Sequence, residues 1–119
     1  MLKKRPFFLL WILVLVGGSA STTAKIQELG FFDSLYWHKQ AAQRGNIWAQ
    51  YELANRYRYG NGIRQDFVLA YHLYNVAALS VCEPALDGLE QITLKMTPEQ
   101  IAQAHERTIN YLEGRKPLL

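Results

Sequence analysis

Residues 41–78 read AAQRGNIWAQYELANRYRYGNGIRQDFVLAYHLYNVAA, and this stretch decides the fold. It begins and ends with an Ala-Ala pair, and the two pairs are 36 residues apart. The same offset matches further positions: Phe31 with Phe67, Ala49 with Ala85, and Leu53 with Leu89. Small residues fall on small ones and large apolar residues on large ones. A self-match at an offset of about 20–50 residues is typical of stacked helical repeats.

The apolar spacing within this stretch is helical. Apolar residues recur every three or four positions over 70–81 and, more weakly, over 49–57. Between these segments, Gly60-Asn61-Gly62 predicts a tight reversal, because glycine adopts positive φ without strain. Asp66 and Asn46 each stand where a helix N-cap is expected.

The C-terminal segment carries its own helix signals. Thr97-Pro98-Glu99-Gln100 predicts a capping box with proline at the first helical position, and Gly114 and Pro117 predict the end of the helix. The apolar stripe predicted for this helix contains Ile101, His105, Thr108, Ile109 and Leu112. The predicted helices span 31–44, 47–59, 66–80, 84–94 and 98–113. Large side chains expected to fill the space between helices are Trp37, Tyr57, Tyr71 and Tyr74.

These residues resemble the Sel-one-like repeat, a helix–turn–helix unit related to tetratricopeptide repeats. The matching positions are Ala41, Ala42, Gly45, Ala49, Gln50, Leu53, Tyr57, Gly60, Gly62, Ile63, Asp66, Ala70, Tyr74, Ala77 and Ala78. The chain departs from the pattern at Ala54, at Leu73 and at Val81, which stands where a glycine would open the next unit.

The resemblance implies an all-α fold, a short right-handed α-solenoid of antiparallel helix pairs with a C-terminal capping helix. The helical-repeat domain would span 31–113, with one full repeat at about 42–78, the closing helix at 98–113 and a tail at 114–119. About three units are usually needed to bury a continuous core. We therefore expect the closing helix, or alternatively a homodimer, to cover the last apolar face.

The N-terminus has the layout of an export signal. Lys3-Lys4-Arg5 precedes an apolar run over 7–16, and small residues follow it. The run is shorter than the roughly 20 apolar residues that a membrane-spanning helix needs. We interpret 1–20 as a signal peptide and 21–30 as a linker, and expect a periplasmic or secreted protein. The alternative is an uncleaved N-terminus that attaches the chain to the inner membrane.

Charge argues against a nucleic-acid partner. The whole chain carries a formal net charge of +3, but three of its 13 basic residues lie in the predicted signal peptide. Without that segment, 10 basic residues face 10 acidic ones, so the net charge is zero. A neutral chain lacks the basic excess that drives binding to phosphate backbones.

Chemistry-bearing residues are sparse. His38, His72 and His105 lie on three different predicted helices, outside any metal-ligand motif, and Cys82 is the only cysteine. We therefore predict no catalytic residue, no metal site and no cofactor. We interpret Cys82 as a small apolar residue near a helix end, and the alternative is an intermolecular disulfide in an oxidising compartment.

In tetratricopeptide repeats, the first helix of each unit lines the concave surface. By that analogy, the residues expected to contact a partner are Trp48, Glu52, Asn55, Arg56 and Tyr59. The leading hypothesis is an exported adaptor of the bacterial cell envelope that binds a protein or peptide. One alternative is an enzyme acting on cell-wall material or β-lactams, although the chain lacks the cysteine pairs of such relatives. Another is a structural accessory subunit anchored by its N-terminus.

Overall fold

The structure is a computed structural model that describes residues 34–119. The predicted signal peptide and linker, and residues 31–33 of the first predicted helix, lie outside this range. The helices are α1 (34–43), α2 (Ile47–Tyr59), α3 (Phe67–Leu79), α4 (Glu83–Thr93) and α5 (Pro98–Leu112). From residue 34 onward the chain contains no strand, so the all-α class is confirmed for this part. No helix in the same range has both the length and the apolar character needed to span a membrane.

The 36-residue offset of the sequence recurs in the backbone. Helix α2 begins at Ile47 and α4 begins at Glu83, which is 36 residues later. The turns before them share a hydrogen bond. The Gly45 N–H donates to the Ala42 carbonyl at 3.1 Å, and the Val81 N–H donates to the Ala78 carbonyl at 3.0 Å. The self-match therefore reflects two similar backbone turns and the helices that follow them.

Three helices begin at the side-chain caps that the sequence predicts. The Asn46 side chain accepts from the Ala49 N–H at 2.9 Å, and the Asp66 side chain accepts from the Leu69 N–H at 3.0 Å. At α5, Thr97 and Gln100 form both hydrogen bonds of a capping box. Each such cap satisfies backbone N–H groups that the helix leaves without a partner.

Helix α3 is the centre of the packing, because it contacts α2, α4 and α5. Small residues line the places where helices meet; those with no more than 5% of their surface exposed are Ala42, Ala49, Ala54, Ala70, Ala77, Ala85 and Ala104. At Gly88 in α4, a Cβ atom would lie 2.6 Å from the Tyr74 ring of α3. These short side chains allow neighbouring helices to approach closely.

One predicted core aromatic is wrong. Tyr57 and Tyr74 are buried and Tyr71 is half-buried, but Trp37 is 63% exposed. Helix α1 turns Leu35 and Ala42 toward the core, which leaves Trp37 on the outer side, where its ring makes an edge contact with that of Tyr36.

The predicted apolar stripe of α5 is partly wrong. Ala104 and Thr108 are the buried residues, whereas Ile109 and Leu112 are about half exposed. The rotation of α5 is explained by polar contacts, since Thr108 Oγ1 lies 3.0 Å from Nδ1 of the buried His72 in α3. The segment predicted as a tail also returns to the core, where Leu118 is only 2% exposed.

Val81 adopts an unfavourable backbone conformation. Its φ is 62°, in the left-handed region where a β-branched side chain is strained. Gly45, at the matching turn before α2, has a φ of 91° and meets no such penalty. Val81 therefore occupies a turn conformation that suits glycine better than a β-branched residue.

We predict that Val81→Gly stabilises the protein by about 1 kcal/mol, because relief of backbone strain exceeds the added freedom of the unfolded chain. Val81 is 85% exposed, so little packing is lost. Chemical denaturation measures the change in the free energy of unfolding. Gly45→Ala is the matched reverse change. A Cβ there meets no atom within 4 Å, so any loss reports backbone strain in excess of the reduced freedom of the unfolded chain, without a steric clash. Equal or lower stability of Val81→Gly would contradict the account.

Candidate functional site

The exposed side of α2 carries two large aromatic side chains. Trp48 is 60% exposed and Tyr59 is 57% exposed, and they lie about three helical turns apart on the same side. Glu52 and Asn55 lie between them and are half-buried. We call Trp48, Glu52, Asn55 and Tyr59 the α2 face. Further aromatic rings lie beside this face. The centroid of the Tyr51 ring is 5.1 Å from that of Trp48 and 6.1 Å from that of Tyr74.

Asn55 is held in place from below. Its side-chain oxygen accepts a short hydrogen bond from the hydroxyl of Tyr74, which is fully buried in α3. Burial raises the pKa of this hydroxyl, while the nearby Arg58 guanidinium lowers it; the net shift is upward. The phenol therefore stays protonated and acts as a donor at neutral pH. A predicted contact residue is thus pre-positioned by the core.

Arg56, also a predicted contact residue, lies on a different side of α2. Its Nη2 donates to Ser34 Oγ of α1 at 3.0 Å. Of the five residues predicted to contact a partner, the structure therefore brings four together as the α2 face and directs Arg56 toward α1.

Arg58 also belongs to the site, although its place in the sequence does not indicate this. It is 8% exposed, and its Nη2 donates to Gln91 Oε1 of α4 at 2.7 Å. The guanidinium carbon lies 4.8 Å from the centroid of the Tyr59 ring, within the range of a cation–π contact. A helical projection of α2 places Arg58 on the same side as Asn55 and Tyr51, but it gives no signal that Arg58 is buried or bonded to α4.

The residues assigned to the repeat pattern have structural roles. Those that are buried are Ala42, Ala49, Leu53, Tyr57, Ala70, Tyr74 and Ala77, and Ala78 is half-buried. Those with positive φ are Gly45, Gly60 and Gly62, and Asp66 caps α3.

Potentially reactive side chains are dispersed. His38 Nδ1 lies 2.6 Å from the Ser34 carbonyl oxygen, and His105 Nε2 lies 3.1 Å from the Tyr71 hydroxyl. Cys82 is a buried free thiol at the start of α4. Within residues 34–119, no group of three or more His, Cys, Asp or Glu residues is arranged to hold a metal ion.

His72 is fully buried and forms hydrogen bonds to the C-terminal part of the chain. Its Nε2–H donates to the Leu118 carbonyl at 2.9 Å, and its Nδ1 lies 3.0 Å from Thr108 Oγ1. The Thr108 hydroxyl also lies 3.0 Å from the Ala104 carbonyl, so its one proton is shared between these two acceptors. Burial is the main cause that lowers the pKa of His72 to about 4, and Arg107 adds to it, while the Leu118 hydrogen bond acts in the opposite direction.

This pKa predicts that acid destabilises the protein. Between pH 6.5 and about 4 the unfolded chain binds a proton at His72 and the folded chain does not, so stability falls as pH falls through this window. The loss from His72 amounts to about 3 kcal/mol in the free energy of unfolding. Denaturation curves at several pH values measure it. His72→Gln should remove this component of the pH dependence and the exposed His105→Gln should keep it; an unchanged slope in His72→Gln would refute the assignment.

We also predict that Gly88→Ala destabilises the protein by about 1–2 kcal/mol. The added methyl would overlap the ring of Tyr74, which is fully buried, and this overpacking outweighs the better helix propensity of alanine. The neighbouring exposed Asp87→Ala is the control and should change stability by no more than about 0.5 kcal/mol. Thermal unfolding measures both variants. A more stable Gly88→Ala would show that α4 lies farther from Tyr74.

Comparison with known proteins gives no assignment, since no protein-family model matches the chain and no solved structure matches it significantly.

Proposed function

We propose that this chain is an exported helical-repeat adaptor, similar to Sel-one-like repeat proteins, that binds a protein or peptide in the bacterial cell envelope. In this proposal α2 and α3 form the full repeat of a short right-handed α-solenoid of antiparallel pairs, and α5 is the closing helix. The recurrence of the α2 start at α4, together with the shared turn before each, supports a repeated unit. Export rests on the signal-like pattern of residues 1–20.

The exposure of Trp48 and Tyr59 on one side of α2 carries the proposal. Large aromatic rings gain stability from burial, so keeping two of them in water has a cost that a partner can offset. Tryptophan, tyrosine and arginine are also the side chains enriched at the energetic centres of protein interfaces. The buried Tyr74 supports this surface through Asn55, which supplies the rigidity that precise contacts need.

The hydrogen bonds of His72 and His105 favour a binding protein over an enzyme, because both side chains serve to hold helices together. His72 bonds with both ring nitrogens to Thr108 and Leu118, and His105 pairs with Tyr71. Both histidines thus join α3 to the C-terminal part of the chain.

The experiment that tests the proposal is site-specific photo-crosslinking in the native bacterium, with a photoreactive amino acid at position 59. The matched control carries it at Leu112, which has the same exposed fraction of 57% on α5. We expect position 59, and not position 112, to capture a defined protein, which mass spectrometry identifies.

The captured protein must also depend on the α2 face. Trp48→Ala should reduce its capture at least tenfold, because truncation of an interface hot spot costs about 2 kcal/mol or more. Trp37→Ala is the matched control, with a tryptophan 63% exposed on α1, and should leave capture unchanged. Equal capture from both positions, or insensitivity to Trp48→Ala, would overturn the proposed binding face. Hydrolysis of a cell-wall fragment by the purified protein would instead favour an enzyme.

A further inference from the structure

Arg58 is a buried positive charge with no carboxylate partner among residues 34–119. It is 8% exposed, and its Nε is buried without a hydrogen-bond acceptor. Its Nη2 bonds to the neutral side-chain amide of Gln91. In the described range, from residue 34 to the C-terminus, the ion pair present is that of Glu113 with Arg115, so no carboxylate of these residues balances Arg58.

An arrangement of this kind is costly in the free protein. Charged side chains are rarely buried unless they are paired, because removal from water weakens their solvation. The planar guanidinium is suited to a carboxylate, which can accept two parallel hydrogen bonds from it. A ligand that supplies a carboxylate would therefore satisfy a group for which the described part of the chain supplies no counter-charge.

The guanidinium adjoins the surface that binds the partner in our proposed function. It lies against the ring of Tyr59, which is 57% exposed, and contacts Gln91, which is also exposed. Ligand access would require the exposed Gln91 side chain to move aside. The Tyr74 hydroxyl lies near the same guanidinium and remains protonated, so it adds a neutral neighbour rather than a counter-charge.

We propose that Arg58 anchors a carboxylate of the bound partner, so that the α2 face selects an acidic peptide segment, with Tyr59 covering the ion pair. This inference rests on the proposed adaptor function. It differs from a purely structural role for Arg58, in which its contacts with Gln91, Tyr59 and Tyr74 would be its only purpose.

Peptide titration of the ¹⁵N-labelled full chain, followed by NMR at the arginine Nε–H signals, tests the proposal. The probes are the capped tripeptides Ala-Glu-Ala and Ala-Gln-Ala, which differ only in the side-chain carboxylate. A third probe, Ala-Ala-Ala with a free C-terminus, distinguishes a terminal carboxylate from an acidic side chain. We expect the Glu peptide to shift the Arg58 signal and to bind at least tenfold more tightly than the Gln peptide.

Two variants identify the group responsible. Arg58→Gln should abolish the preference for the Glu peptide, and Arg64→Gln, at an exposed arginine in the loop between α2 and α3, should retain it. Circular dichroism checks the fold. If Arg58→Gln unfolds, Arg58→Lys replaces it, and it should reduce the preference because an ammonium lacks the two-pronged geometry.

Equal affinities for the Glu and Gln peptides, an Arg58 signal that no carboxylate probe shifts, or a preference that survives Arg58→Gln would overturn the proposal. If only the peptide with a free C-terminus binds, the proposed selection of an acidic side chain would be wrong, and the ligand would be a terminal carboxylate. In-cell capture through position 59 that persists in Arg58→Gln would remove the carboxylate anchor while leaving the adaptor function in place. If positions 59 and 112 capture the same proteins in the cell while the purified chain still prefers the Glu peptide, the adaptor function would be wrong and the carboxylate site would remain.

Discussion

The ring of Tyr74 makes the contacts on which the rest of the described structure depends. It is fully buried in α3, and one edge lies where a side chain at Gly88 of α4 would have to be. Its hydroxyl bonds to Asn55 of α2. A single side chain therefore sets how closely α4 approaches α3 and orients a polar residue of the α2 face. Because a Cβ atom at Gly88 would overlap this buried ring, a substitution there would also affect the position of Asn55.

The C-terminal part of the chain is attached to α3 by hydrogen bonds to a buried histidine. His72 of α3 reaches Thr108 of α5 and the backbone of Leu118, so that helix and returning segment are attached at one buried point. A wholly apolar contact would allow α5 to slide or rotate, whereas paired hydrogen bonds in a dry environment fix its rotation. This attachment covers one side of α3 and leaves the α2 face open to solvent.

Much of the fold could be predicted from the sequence, because its signals are local. Helix limits follow from apolar spacing, from the caps Asn46, Asp66 and Thr97, and from glycines at positive φ. The rotation of α5 could not be predicted, because it depends on a pairing between His72 and Thr108, which are 36 positions apart in the chain and on different helices. The exposure of Trp37 was missed for a similar reason, since hydrophobicity alone does not say which side of α1 meets the core.

The candidate site was predictable in part. Residues Trp48 and Tyr59 follow from the face of one helix, but the importance of Arg58 depends on Gln91 of α4 and on the lack of a carboxylate partner among the described residues. Such features arise only when helices distant in sequence are placed together. They connect the spacing of small residues, through the packing at Tyr74, to the surface that we propose binds a partner.

The most direct test of the proposed packing is to detect the contact between Gly88 and Tyr74 in solution. Nuclear Overhauser spectra of the folded chain should show strong cross-peaks from both Gly88 Hα protons to the Tyr74 ring protons, with the Hα signals displaced by the ring current. A folded spectrum in which those cross-peaks are missing and the Gly88 shifts are those of an ordinary helix would contradict it.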